Sequence, residues 1–235
     1  MAISSQAAII DRTAAIIGTY NVSFLMGSAP KTFVQSLLPE AYRSSLIRPN
    51  SSVYPGLTDD SHPIVFELGR EANAGPPGLN IISFQEAKIQ IPFVSRVSSS
   101  PNTPFLYKKQ IMVDNALNVP TSWLAFGLHT TLNKFTPSNS SNSSSFDYEV
   151  TDVLKAEVKK SSSGAIPLET FRSTAGMPWF ADFSTCAQHF YNYTGAVERV
   201  SGTVTLAQGV SVPVEGIHTV APFKIVGALA CDLYL

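Results

Sequence analysis

Two stretches of this chain carry ionisable side chains inside sequences that otherwise alternate like β-strands. In the first, residues 81–93, the alternation places Phe84, Glu86 and Lys88 on one face. The second, residues 104–115, ends in an acidic turn. A carboxylate beside an aromatic ring on the polar face of a strand is typical of the lining of a barrel or a cleft. Together the two stretches predict the centre of an active-site sheet.

Glu86 is the first candidate catalytic residue. A carboxyl group in an apolar setting can act as a general acid or base. The alternative is a structural ion pair with Lys88, Arg70 or Arg96. Arg70 is itself a candidate substrate-binding residue, because its guanidinium can donate a fork of hydrogen bonds to a carboxylate or a carbonyl. The competing interpretation of Arg70 is a surface ion pair of little energetic value.

Lys108 and Lys109 form an adjacent pair of cations. A neighbouring cation can depress the pKa of a lysine and leave its amine nucleophilic. Adjacent residues of a strand point to opposite faces, however, so at most one of the two enters a pocket. A solvated or salt-bridged role is favoured for both, and Lys109 is kept as a candidate substrate-binding residue.

His129 is the second candidate catalytic residue, because an imidazole near neutral pH both accepts and donates protons. Its alternative is a structural role beside Thr130. The other histidines show no metal-ligand spacing. Phosphate-binding loops and nucleophile elbows are absent from the sequence, so neither a metal nor a cofactor is expected. The aromatic candidates for substrate binding are Phe84, Tyr107, Trp123 and Phe126.

The bulk composition indicates one domain over residues 1–235 with an unusually uncharged character. The formal net charge is −1, which gives no electrostatic reason to expect a nucleic-acid or membrane partner. Charged residues make up 14% of the chain and apolar residues 44%. A charge content well below that of an ordinary soluble domain indicates an oligomer interface, a cavity for an apolar ligand, or both.

The cysteines and the N-terminus favour a cytoplasmic protein. Cys186 and Cys231 show neither a disulfide framework nor a zinc spacing, so they are interpreted as two buried thiols in a reducing compartment. Asp11 and Arg12 interrupt the first apolar stretch, which argues against a secretory signal. No run reaches the roughly 18 apolar residues of a membrane helix.

Strand-like segments dominate the chain, and the predicted helices are few and short. The predicted fold is therefore mainly β, a barrel or double sheet with a few short peripheral helices. Helices are predicted over residues 5–17, 31–38 and 120–132. In addition to the two stretches above, strands are predicted over residues 19–26, 63–69, 148–159, 199–207 and 223–235.

The order of these segments resembles the acetoacetate decarboxylase superfamily. The resemblance implies that superfamily's fold over nearly the whole chain, with Glu86 at the position of its active-site glutamate, and together with the low charge content it favours a homo-oligomer. The stretches that carry the resemblance are Ser28-Ala29-Pro30-Lys31 with Leu37-Leu38-Pro39, Phe84-Gln85-Glu86, Ile91-Pro92-Phe93-Val94, Phe105-Leu106-Tyr107 with Val113-Asp114-Asn115, and Gly202-Thr203-Val204-Thr205-Leu206 with Asp232-Leu233-Tyr234-Leu235.

The sequence departs from the superfamily at the catalytic lysine. The superfamily's enzymes carry a Gly-Phe-Pro-Lys element soon after the Val-Asp-Asn turn, and its lysine forms an imine with a keto acid. The comparable stretch here is residues 123–130, and the lysine position falls on Leu128 or His129. Neither side chain can form an imine. If His129 replaces the lysine, it is expected to face Glu86 across the cavity.

The retained glutamate and the missing lysine together predict a cofactor-independent enzyme of specialised, polyketide-like metabolism. It is expected to cyclise or isomerise a hydrophobic carbonyl-containing substrate without an imine, by folding it into a reactive conformer and stabilising developing charge. A pericyclic cyclisation such as an intramolecular cycloaddition fits the same tools. One alternative is a lyase that decarboxylates a β-keto acid. Another is a non-catalytic binding protein for a hydrophobic metabolite.

Overall fold

The computed structural model describes residues 14–137, 146–193 and 195–235, and strands dominate them. Within those residues the helices are α1 (Lys31–Leu37), α2 (Asn118–Phe126) and α3 (Leu168–Ala175), with short 3-10 turns at Glu40–Tyr42 and Cys231–Tyr234. The strands are β1 (Ala14–Pro30), β2 (Ser61–Gly75), β3 (Ile82–Ser95), β4 (Pro104–Val113), β5 (Thr130–Leu132), β6 (Phe135–Thr136), β7 (Tyr148–Val150), β8 (Leu154–Lys160), β9 (Pro178–Phe180), β10 (Thr185–Tyr191), β11 (Val197–Leu206) and β12 (Ser211–Ala230).

Seven of these strands close into a ring in the order β1-β2-β3-β4-β9-β10-β12, and β12 pairs with β1 to complete it. Neighbours in the ring are antiparallel except β4 and β9, which run parallel. The long β12 holds the two parts of the sheet together. One edge pairs with β1, and the other pairs first with β11 and then with β10. The predicted mainly-β barrel with few short helices is confirmed.

The barrel wall separates two apolar cores. Strand β2 shows the reason: Glu67 and Glu71 point into the ring, whereas Phe66 and Leu68 belong to the opposite face. A strand covered on both faces is buried almost continuously, as β2 is from His62 to Gly69. The outer core is completed by residues of β7, β8 and β11. The inner face therefore remains free to line a cavity.

Helix α2 ends where a glycine permits it. Gly127 has a φ of 67°, the left-handed conformation that favours glycine at a helix C-terminus. A Cβ on Gly127 would also meet the ring of Phe183 at 2.5 Å. The chain therefore leaves the helix after Phe126 and returns to the barrel as β5, beside β4.

The sequence did not predict strands β5, β6, β9 and β10 or helix α3, and several predicted elements differ from the observed ones in where they end. The helix predicted over residues 120–132 ends at Phe126, because Gly127 turns the chain away. The helix predicted over residues 5–17 falls largely outside the described residues, and residues 14–17 belong to β1. No helix in the described part of the chain is both long and apolar enough to span a membrane.

Cys186 and Cys231 are joined by a disulfide. The interpretation of two free buried thiols was therefore wrong. The two residues lie 45 positions apart in sequence, and the closing of the barrel brings the start of β10 beside the turn that follows β12, with a Cα–Cα distance of 4.9 Å. Spacing alone could not reveal this pairing, because it depends on which strands become neighbours.

Candidate active site

The interior of the ring contains a cavity of about 350 Å³. The tip of the β2–β3 hairpin and helix α2 contribute residues to its wall, and the barrel strands provide the remainder. Most of the wall is apolar, whereas the ionisable side chains come from β2, β3, β4 and β10. The principal apolar lining residues are Ile16, Ala74, Ile82, Phe84, Ile111, Val113, Phe126, Leu128, Trp179 and Ile225, and the ionisable ones are Glu71, Glu86, Lys88, Lys108 and His189.

The ammonium group of Lys88 lies among three carboxyl groups. Its Nζ is 2.7 Å from Oε2 of Glu86, 3.0 Å from Oε2 of Glu67 and 3.7 Å from Oε1 of Glu71. The contact with Glu67 is a hydrogen bond, whereas the one with Glu86 is a close ion pair without suitable hydrogen-bond angles. Lys88 also lies over the ring of Tyr20, 4.8 Å from its centroid. All four ion-pairing side chains are nearly inaccessible to solvent.

This arrangement shifts the pKa of three of the four groups. Burial alone would lower the pKa of Lys88, but Glu67 and Glu86 raise it well above its usual range. Burial would likewise raise the pKa of Glu67, but Lys88 and Lys108 together hold it below its usual range. Burial, reinforced by the charge of Glu86, raises the pKa of Glu71 well above its usual range. Glu71 is therefore the carboxyl group of the cluster whose protonated form is favoured.

Lys108 has a different environment from Lys88, because its closest described partners are aromatic rings. Its Nζ lies 4.3 Å from the ring centroid of Trp179 and 3.5 Å from Nδ1 of His189. Burial, and then the positive charge of Lys88, lower the pKa of Lys108 to about 7. A substantial fraction of Lys108 is therefore an uncharged amine near neutral pH, inside the cavity.

His189 is held in a stack of rings on β10. Its imidazole is nearly parallel to the ring of Tyr191, with centroids 5.5 Å apart. Burial, and then the charge of Lys108, lower the pKa of His189 well below its usual range. The hydroxyl group of Tyr191 lies 3.5 Å from Oε2 of Glu67, at the limit for a hydrogen bond that it donates. His189 is thus a neutral imidazole, and the stack connects it to the carboxyl cluster.

Three of the residues singled out from the sequence line the cavity: Glu86, Phe84 and Phe126. Glu86 and Phe84 do so because the alternation of β3 turns both toward the interior. Phe126 reaches the cavity from the last turn of α2, where its ring lies 5.5 Å from that of Trp179.

The expectation that His129 faces Glu86 across the cavity is corrected by the structure. The side chain of His129 is exposed, and its neighbour Leu128 is buried and lines the cavity. The residue that follows Gly127 turns inward and the next one turns outward. Of the two residues at the turn after α2, Leu128 is therefore the one that lines the cavity.

The remaining candidate substrate-binding residues lie outside the cavity wall. Arg70 alternates with Glu71 and points to the other face of β2, where its charge acts on Tyr148. Tyr107 alternates with Lys108 and packs against Phe180 outside the cavity. Lys109 is the extra residue of a β-bulge, because Gln90 pairs with Lys108 and Ile89 with Gln110, and its half-buried side chain does not line the cavity. Trp123 lies on the exposed side of α2, against Phe183.

Sequence reasoning missed Glu67, Glu71 and His189, and it assigned Lys108 a solvated role. A signal existed for the two glutamates: Glu67 and Glu71 share one face of β2, as Glu86 and Lys88 share one face of β3. No comparable signal marked His189. Its place beside Lys108 depends on β9 lying between β4 and β10 in the ring, which the sequence does not reveal.

The cavity thus combines an amine with a pKa of about 7, a carboxyl group with a raised pKa and an apolar wall. The amine of Lys108 can accept a proton or attack a carbonyl carbon, and the carboxyl group of Glu71 can donate a proton. The apolar wall excludes water and strengthens both effects. Such a set is suited to moving protons on a carbonyl compound.

Comparison with solved structures identifies neighbours that cover nearly all of the chain. The acetoacetate decarboxylase of Legionella pneumophila superposes with a TM-score of 0.54 and 12% sequence identity, covering 91% of this chain and 88% of that one. A second acetoacetate decarboxylase structure gives a TM-score of 0.51 and 12% identity, with coverages of 90% and 87%. The enduracididine biosynthesis enzyme MppR, complexed with pyruvate, gives 0.50 and 14%, with coverages of 91% and 90%. By sequence, no protein-family profile and no curated protein matches the chain.

Proposed function

We propose, from the premise that this chain has the acetoacetate decarboxylase-like fold, that it is a cofactor-independent enzyme acting on a hydrophobic carbonyl compound held inside the barrel. The reaction is an isomerisation or a cyclisation that leaves the mass of the substrate unchanged. The observation that carries the proposal is the amine of Lys108, which lies in the cavity wall with a pKa of about 7.

The chemistry requires one base and one acid on a carbonyl compound. The neutral amine of Lys108 removes a proton from a carbon next to the carbonyl group, and a cavity carboxyl group donates a proton to the carbonyl oxygen. The enol then returns its O–H proton to the carboxylate as its electron pair forms a new bond. In a substrate with a conjugated C=C bond the pair takes a proton at the far carbon of that bond, which is an isomerisation. Alternatively the pair attacks a second carbonyl group of the same molecule, whose oxygen takes up a proton, which is a cyclisation. General-base catalysis near neutral pH is most effective when the pKa of the base lies near 7.

The charge balance of the cavity favours a neutral substrate over a keto acid. The raised pKa of Glu71 favours its protonated form, Lys88 is paired with Glu67 and Glu86, and Lys108 is partly uncharged. With a proton assigned to Glu71, the cluster of Glu67, Glu71, Glu86, Lys88 and Lys108 carries a formal charge between zero and −1. Such a cluster does not attract a carboxylate. Arg70, the expected fork donor for such a group, lies on the other face of the sheet.

A second candidate function, a lyase that forms an imine, is favoured by the same amine. Lys108 would attack a ketone and release water, and the iminium would accept the electron pair left by departing CO₂. Its support is the fold, since the neighbours include acetoacetate decarboxylases and an enzyme complexed with pyruvate. The charge balance weighs against this reaction for a β-keto acid.

The test is catalysed exchange of the α-protons of benzylacetone in deuterated buffer, followed by mass spectrometry. The parent protein is expected to exchange the α-protons faster than buffer alone. Lys108→Met is expected to lower the catalysed exchange rate at least about a hundredfold. Lys109→Met is expected to exchange at the parent rate. Lys109 is the matched control because it is adjacent to Lys108 on β4 but does not line the cavity. Exchange by Lys108→Met at the parent rate would refute the proposal.

The two candidate functions separate when acetylacetone or acetoacetate is added with borohydride. A stable adduct on Lys108, located by peptide mapping, would establish the imine route. Exchange without an adduct would support proton transfer alone. Tight binding of benzylacetone with neither exchange nor adduct would instead indicate a binding protein.

A further inference from the structure

We propose that Glu71 and Glu86 form a carboxyl pair that holds one proton between them and presents it to the carbonyl oxygen of a bound ketone or aldehyde. The pair would be the oxygen-recognition element of the cavity. This inference deepens the proposed function, on which its catalytic meaning rests.

The sheet register brings the two side chains together on the same face. Gly69 is paired with Glu86, and Glu71 is paired with Phe84, so the two glutamates are diagonal neighbours on adjacent strands. Long side chains at diagonal positions reach each other across a sheet. Both glutamates line the cavity and both are nearly fully buried. The pair is thus at the wall rather than behind it.

The position of the two carboxyl groups around one ammonium favours a proton between them. Both lie against the ammonium group of Lys88, with Oε2 of Glu86 at 2.7 Å and Oε1 of Glu71 at 3.7 Å from its Nζ. Two ionised carboxylates offer only acceptors, so a hydrogen bond forms only if one of them is protonated. Two carboxylates sharing a buried site cannot both ionise without a large cost. The raised pKa of Glu71, caused by burial and by the charge of Glu86, agrees with this cost.

Lys88 holds the pair in place without removing its proton. Its ammonium contacts Glu86 at 2.7 Å and Glu71 at the longer distance of 3.7 Å, and it donates a hydrogen bond to Glu67 on its other side. One cation thus faces three carboxyl groups. Because Lys88 is hydrogen-bonded to Glu67, it stabilises a negative charge on Glu71 less strongly. The other ionisable groups around the pair are Lys108 on β4, Tyr20 on β1, and Tyr191 and His189 on β10.

The ligand class follows from this donor. A protonated carboxyl group offers one hydrogen bond to an acceptor oxygen, which a ketone or an aldehyde supplies. As charge develops on that oxygen during enolisation, the bond strengthens, because it becomes a bond to a charged acceptor. Lys108 approaches from β4 and supplies the base, so donor and base come from different strands of one cavity. Glu71 and Glu86 are the residues that touch the substrate oxygen.

Infrared spectroscopy tests the pair without any turnover, by comparing the spectrum of the parent protein with those of its variants. The parent at neutral pH is expected to show the C=O stretch of a protonated carboxyl group. Glu71→Gln is expected to lose this band and Glu86→Gln to shift it. Glu157→Gln, at an exposed position paired with Lys155, is the control and is expected to retain it. A parent without the band, or a Glu71→Gln spectrum identical to the parent, would overturn the inference.

A labelled ligand tests the recognition step. The carbonyl stretch of bound benzylacetone carrying ¹³C at its carbonyl group is expected to move to lower frequency in the parent and to return toward its free value in Glu71→Leu. Glu71→Gln keeps a donor and is expected to retain part of the shift. An unchanged shift in Glu71→Leu would contradict the inference. A carboxyl band and a ligand shift without α-proton exchange would refute the proposed function and leave this inference standing.

Discussion

The amine of Lys108 lies 3.5 Å from Nδ1 of His189, across the barrel interior from β4 to β10. Burial lowers the pKa of both groups, and each is further lowered by a nearby lysine: Lys88 acts on Lys108, and Lys108 acts on His189. Lys88, by contrast, is stabilised in its charged form by carboxylates. The barrel therefore contains one fixed cation and one amine that titrates near neutral pH, and only the second is suited to proton transfer.

The first prediction concerns the pH dependence of α-proton exchange. The catalysed rate is expected to rise with pH and to level off above a midpoint near 7, because Lys108 becomes the uncharged base as it passes its pKa of about 7. Rates with benzylacetone between pH 5 and pH 9 would measure this. Lys109→Met is expected to keep the midpoint. A parent profile that is flat across this range would contradict the assignment of Lys108 as the base.

The second prediction concerns stability as a function of pH. The pKa of Lys108 falls from 10.5 to about 7 on folding, so the unfolded chain binds more protons between these values and this group makes stability rise with pH across that window. Below pH 7 the folded state carries the full penalty of a buried charge. Lys108→Met removes that penalty.

The difference in free energy of unfolding between Lys108→Met and the parent should therefore be largest below pH 7 and decrease toward pH 10, by at most about 1.4 kcal/mol per pH unit. Urea denaturation at a series of pH values measures it. Lys109→Met, whose side chain lies outside the cavity, is the control. A difference that increases with pH would show that the amine of Lys108 is charged in the folded protein.

The third prediction concerns Lys88. Lys88→Met leaves Glu67, Glu71 and Glu86 buried without the ammonium that they surround. Removing one partner of a buried ion pair costs about 3–5 kcal/mol, so a loss of this size in the free energy of unfolding is expected. Lys155→Met, which removes an exposed pairing with Glu157, is expected to leave stability unchanged. Equal effects of the two substitutions would indicate that the carboxyl cluster is hydrated.

The fourth prediction concerns the disulfide between Cys186 and Cys231. The denatured, unreduced protein is expected to show no reactive thiol and the reduced protein to show two. Replacing both cysteines with alanine is expected to lower the free energy of unfolding by about 2–4 kcal/mol, since the bond closes a long loop in the unfolded chain. Two reactive thiols before reduction, in protein purified without reductant, would contradict the pairing.

The alternation of apolar and polar residues predicted those features of the fold that depend on which face of a strand is buried. The period-two pattern around Glu86 gave the correct face of β3, and the few helix signals gave the correct class. The order in which the strands pair in the sheet was not predictable from local sequence patterns. β12 pairs with three strands along its length, and the short β9 joins β4 to β10, which the sequence does not indicate.

The candidate site was predictable only where one strand carried the whole signal. Phe84 and Glu86 follow from the alternation of a single strand, and Lys88 was assigned to the same face. The amine of Lys108 was visible in the sequence, but which of the two adjacent lysines entered the cavity depended on the register of β4. His129 was misplaced because the turn at Gly127 determines whether residue 128 or 129 points inward.

The fifth prediction compares Glu86 with His129. Glu86→Gln is expected to lower the catalysed exchange of benzylacetone about tenfold to a hundredfold, because it removes a cavity carboxyl group that contacts Lys88 and Glu71. His129→Ala is expected to exchange at the parent rate, because the imidazole is exposed and the cavity is lined at this turn by Leu128. Circular dichroism of both variants would confirm that the fold is kept. A large loss in His129→Ala together with normal exchange in Glu86→Gln would move the chemistry out of the barrel interior, to the outer side of the turn after α2.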